Sequence, residues 1–184
     1  MELLAKHYPA VDSTWTEPGS VTPAEHPLVV YTAAYCANRL GRDNPELWSR
    51  ASRLSTRAVF PSRPLYYAVL TQALHRNPRD ATAHLLLGDL FMSSGRHEQA
   101  LKEWQEARES NPALPTLHRN LGLTRLELNH DPAGAREIFR EGLTADPTNP
   151  DLYLGLCRAI ALLAAPPTEC ADAMAKYQIG RAHV

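Results

Sequence analysis

Eight histidines and three cysteines are the residues of this chain whose types could do chemistry. Metal binding needs such residues to converge, as in an HExxH helix or paired CxxC turns. Neither pattern occurs, and His97-Glu98 has no second histidine four residues after the first. His75, His84, His97, His118, His130 and His183 form no tight group and read as packed or half-exposed rings. Cys36, Cys157 and Cys170 are odd in number, widely spaced and set among apolar residues. They read as small buried thiols in a reducing, cytoplasmic compartment, with no disulfide framework expected.

Nucleophilic and nucleotide chemistry fare no better. Ser93-Ser94 lies beside Gly95 without a surrounding GxSxG, and the chain has neither a P-loop nor a GxGxxG. Glu103, Glu106 and Glu109 fall along one helix among Lys102 and Arg108, a solvated face and not an acid–base pair. The expectation is a chain that is not an enzyme and uses no cofactor. With 19 basic and 20 acidic residues, the net charge of -1 argues against nucleic-acid or anionic-membrane surfaces. The longest apolar run, near Ile160 to Pro167, is too short to span a bilayer, and no secretory signal opens the chain.

The elements that would position any site come from an internal repeat. Asn77-Pro78 recurs 34 residues later as Asn111-Pro112, and Asp146-Pro147 follows 35 residues after that. Leu87-Gly88 recurs as Leu121-Gly122, again 34 residues on. A period in this range is the mark of stacked helical hairpins. With Ala81 as position 1, Leu87, Gly88, Phe91, Gly95, Ala100, Trp104, Ala107 and Pro112 hold positions 7, 8, 11, 15, 20, 24, 27 and 32. Small Gly88 and Ala100 let two antiparallel helices cross closely, Phe91 and Trp104 fill the space between them, and Gly95 ends the first helix. These residues resemble the tetratricopeptide repeat. The resemblance implies an all-α, right-handed solenoid of antiparallel helix hairpins.

The chain then divides as follows: 1–23 an N-terminal helical stub and loop, 24–80 divergent repeat-like helices, 81–114 a full unit, 115–149 a unit with one inserted residue near Asn129-His130-Asp131, and 150–178 a truncated unit. Helices are expected from His26 to Leu40, Pro45 to Leu54 and Leu65 to His75 in the divergent region. Residues Ile179 to Val184 look like translated adaptor sequence, and they stay outside the fold reading. The chain is therefore expected to be a fragment.

Phe60-Pro61-Ser62-Arg63, Asn77-Pro78-Arg79-Asp80-Ala81 and Leu87-Gly88-Asp89-Leu90, with His26-Pro27-Leu28 upstream, carry a further resemblance. They are similar to the helical tail of large bacterial proteins in which a β-rich, sugar-mutarotase-like domain precedes the repeats. That resemblance implies an accessory region of a carbohydrate-associated protein, and no catalytic residue here.

In the tetratricopeptide arrangement the first helix of each hairpin lines a concave groove. The groove positions are Thr82, Leu85, Asp89, Met92 and Ser93 in the first unit and Thr116, Arg119, Leu123, Leu126 and Glu127 in the second. In the third they are Asp151, Leu154, Arg158, Ala161 and Leu162. Leu85, Asp89, Met92, Arg119, Leu123, Leu126, Leu154 and Arg158 are the candidate site, with the leucines as an apolar stripe for a partner helix or extended peptide. The clamp that holds chaperone tails by their carboxylates in some tetratricopeptide proteins is not matched, since Leu85 and Asp89 stand where basic and amide residues are needed. The expected function is a non-catalytic scaffold binding a protein segment or docking a domain of its own parent chain. The alternative is a helical accessory region of a carbohydrate-active enzyme.

Overall fold

The computed structural model describes residues 26–182. The stub and loop expected within 1–23, and the terminal His183 and Val184, lie outside the described residues. Nine helices follow in order among those described: α1 Pro27–Arg39, α2 Pro45–Ala51, α3 Leu65–Arg76, α4 Ala81–Ser93, α5 His97–Ser110, α6 Pro115–Glu127, α7 Pro132–Ala145, α8 Pro150–Leu162 and α9 Thr168–Ala182. No strand occurs among the described residues. None of these helices is long and apolar enough to cross a membrane.

The architecture is an α-solenoid of hairpins: α4 packs on α5, α6 on α7, and α8 on α9, while α7 also lies against α8. The starts are built by proline in the first turn and by side-chain caps. Asp80 accepts from the N–H of Ala83, Asp131 from Gly134 and Asn149 from Asp151, each meeting a donor the helix cannot satisfy. The Asn-Pro and Asp-Pro repeats have a visible cause. Asn77, Asn111 and Asp146 each fold a side-chain oxygen onto the N–H two residues on, at 3.1, 3.0 and 3.0 Å. The same local turn thus restarts the chain between hairpins.

Three core clusters succeed one another along the stack. The first joins α1 to α4, with Tyr31, Leu70 and Leu86 fully buried. The second is Leu85, Trp104, Ala107 and Leu117. The third gathers Leu126, Phe139, Leu152, Leu156 and Ile160. A Cβ on Gly88 would collide with the Trp104 ring, and Cβ atoms on Gly122 and Gly155 would collide with opposite approaches to Phe139. The two aromatics therefore occupy room that only glycine leaves.

Four expectations are corrected. α2 stops at Ala51 instead of Leu54, because Leu54 has entered the turns that lead into the connector. α9 continues beyond the 150–178 unit through Gly180 to Ala182, so the backbone of residues 179–182 is helical. Cys157 and Cys170 are joined as a disulfide, with their Cα atoms 5.0 Å apart. The hairpin turn places the third residue of α9 against the middle of α8, close to the level where Ala100 meets Gly88 in the first unit. Linear spacing hid that juxtaposition, and the cysteine argument for a reducing compartment falls with it. Cys36 is free and exposed, not buried as expected.

Candidate functional site

A cleft of about 440 Å³ opens between the first helices of the two central hairpins. α4 contributes Asp89, Met92 and Ser93; α6 contributes Arg119, Asn120, Leu123, Thr124 and Glu127. Trp104 and His97 reach it from α5, and Phe60 from the connector before α3. The lining is mainly apolar, with a polar floor.

That floor is a chain of hydrogen bonds running across four helices. The Trp104 indole N–H donates to Asp89 Oδ1 at 3.0 Å, and the Asn120 amide donates to the same oxygen at 2.6 Å. Asn120 Oδ1 in turn accepts from Arg119 Nη2 and Nε at 2.9 and 3.2 Å. Arg119 then pairs with Asp151 of α8 at 3.6 Å, and its guanidinium stands 5.8 Å from the centre of the Phe60 ring. Burial pushes the Asp89 acid up to about 7, against the opposing pull of the Trp104 hydrogen bond, the Arg119 charge and the Asn120 amide.

Of the sequence candidates, Asp89, Met92, Arg119 and Leu123 meet at this cleft. Leu85 and Leu126 do not line any surface. They are 0% and 5% exposed and belong to the core clusters, because their helical phase turns them toward neighbouring helices. The apolar stripe of Leu85, Leu123 and Leu154 is accordingly broken. Leu154 is exposed on α8, outside the cleft. Arg158 is also outside it and bonds Glu127 at 2.9 Å, tying α8 to α6. Arg119 and Arg158 thus both bridge neighbouring helices. Ser93 and Glu127, both groove positions of the repeat, also line the cleft, while Phe60, Trp104 and Asn120 line it without being groove positions. Asn120 follows Arg119 directly and could have been found by asking which polar side chain faces Asp89 one repeat earlier. Phe60 carries no periodic signal.

Two of the histidines, His84 and His118, are packed rings with hydrogen-bond partners. His84 places Nδ1 2.7 Å from Glu103 and Nε2 3.0 Å from the Pro78 carbonyl. Burial disfavours its charge, but these two acceptors outweigh that and hold its pKa above the ordinary value. His118 meets the Leu114 carbonyl at 3.0 Å. Among the described residues no group of three or more His, Cys, Asp or Glu could hold a metal ion. The arrangement presents a walled recess with hydrogen-bonding groups and no assembled nucleophile.

Comparison with known proteins agrees with this architecture. A family model described as TPR repeat matches residues 88–129. The chain is 26% identical over 115 residues to Hsp70-Hsp90 organizing protein 1 of Glycine max, covering 62% of this chain and 19% of that protein. It is 32% identical over 71 residues to Cargo-transport protein YPP1 of Eremothecium gossypii, covering 39% of this chain and 10% of that protein. Among solved structures it is similar to a mutant of MamA, with a TM-score of 0.50 and 15% identity over 83% of this chain and 95% of that one. That likeness concerns the fold alone. The likeness to the TPR repeat is thus confined to residues 88–129 of a solenoid of helical hairpins, and the chain spans a small part of the length of the curated relatives it matches.

Proposed function

We propose that this chain is a protein-binding scaffold and that the α4–α6 cleft is where the partner docks. The observation that carries the reading is the cleft itself: a recess of about 440 Å³ at the junction of two hairpins, apolar on its walls and polar at its floor. Recognition of a polypeptide suits it, since apolar walls supply affinity and a few fixed polar groups supply register. The names of the two curated relatives, an organizer of two chaperones and a cargo-transport protein, support a partner that is itself a protein. That partner is a separate polypeptide or another domain of the same parent protein.

Photo-crosslinking tests this. A photoreactive residue replaces Leu128, which lines the cleft and is exposed, or Lys102, an exposed residue of α5 outside it. The expected result is a discrete polypeptide adduct from position 128 that is absent from position 102 and is lost when Met92→Glu is added. Equal adducts from both positions, or none from position 128, would contradict the proposal.

A further inference from the structure

We propose that the α4–α6 cleft takes a basic side chain of the partner, lysine or arginine, against Oδ2 of Asp89. The proposal rests on the protein-binding reading of the cleft and names the chemistry of its occupant. Both hydrogen bonds to Asp89 fall on Oδ1, and Oδ2 has no hydrogen-bond partner among the described residues.

The charges around the cleft decide the sign. Arg119 spends Nε and Nη2 on Asn120 and directs Nη1 toward Asp151. Glu127 is matched by Arg158 at 2.9 Å. With those two pairs matched, Asp89 is the acid of the cleft without an ion pair among the described residues, though the Arg119 charge acts on it from nearby. An anionic group entering here would meet Asp89 and find the Arg119 guanidinium already engaged. A cation instead meets an acceptor oxygen in a weakly solvated place, where a charge-assisted hydrogen bond is strong. Burial of this carboxyl raises its acid to about 7 against the pull of Trp104, Arg119 and Asn120. Phe60, 65% exposed at the rim, offers a ring face to the alkyl stem or the charge of such a residue. Met92 and Leu123 offer apolar contact to its neighbours in the partner sequence.

The test is selection from a random peptide library displayed on phage, using the whole chain and an Asp89→Asn variant as baits. Asn keeps an acceptor oxygen for Trp104 and Asn120 and removes the charge. Peptides selected by the wild type are expected to share one lysine or arginine position, several-fold enriched over the library, and the variant is expected to lose that enrichment. On the wild type, replacing that position of a selected peptide by glutamine is expected to weaken binding about tenfold. This second measurement needs no altered protein. Selected peptides without a basic position, or equal enrichment on Asp89→Asn, would overturn the inference and leave the protein-binding reading standing. If neither bait selects any peptide, both readings fall.

Discussion

Asp89 holds the centre of the polar floor, and its environment sets a sign for pH dependence. Its acid is raised from an ordinary value near 4 to about 7, so the folded state retains a proton that the unfolded chain releases. The stability linked to this group is complete below pH 4 and is lost as pH rises toward 7. Between pH 5.5 and 7.5, that loss is about 2 kcal/mol by linkage. Asp89→Asn is expected to remove this component, measured as the difference between the two proteins in urea unfolding at each pH. His84 has the same sign for a different reason, since Glu103 and the Pro78 carbonyl favour its charged form over the desolvation that opposes it. Glu103→Gln is expected to destabilise the protein more at pH 6 than at pH 8, and to lower the His84 pKa read by NMR. The sequence offered His84 only as a packed or half-exposed ring; the carboxylate that meets it, 19 residues away on the next helix, was not legible.

At the scale of the element, the repeat pattern located most helix starts, because proline and Asx residues act locally and need no tertiary partner. Leu85 and Leu126 show what such a pattern omits. Groove positions follow from helical phase in an ideal hairpin, whereas these two side chains are claimed by Leu117 and Trp104 in one case and by Phe139 in the other. Gly122 and Gly155 take their meaning from the same packing, since both flank Phe139. Gly122→Ala places a Cβ 2.5 Å from that ring, and the overpacking is expected to cost about 1–3 kcal/mol in chemical denaturation. The turns give a prediction of opposite sign. Gly95 closes α4 with a φ of 73°, while Ala164 closes the corresponding turn after α8 with a φ of 50°. Ala164→Gly is expected to raise stability by up to about 1 kcal/mol, by relieving a left-handed conformation that costs an alanine energy.

Across the whole molecule, the core passes from one cluster to the next along the stack, as far as α9. Among the described side chains of α9, which end at residue 175, Cys170 and Ala173 pack on the adjoining cluster, aided by ion pairs from Arg136 and Arg140 to Glu169. The Cys157–Cys170 disulfide adds a covalent tie between α8 and the start of α9. Reduction is expected to lower hydrogen-exchange protection of α9 while α4 and α5 keep theirs; uniform loss along the chain would count against a repeat-wise core. The solenoid was legible because its period is written in residues that recur. The cleft was legible in half, because Asp89, Met92, Arg119 and Leu123 obey the period while Phe60 comes from an aperiodic connector. The central claim, that this cleft receives a polypeptide, is tested most directly by titrating a selected peptide into the isotope-labelled protein. The Trp104 indole and Asn120 side-chain amide signals report on the floor, since both N–H groups bond Asp89. Saturable shifts of these two signals, together with those of Met92 and Leu123, are the predicted result. Shifts confined to the exposed faces of α5 and α7 would contradict it.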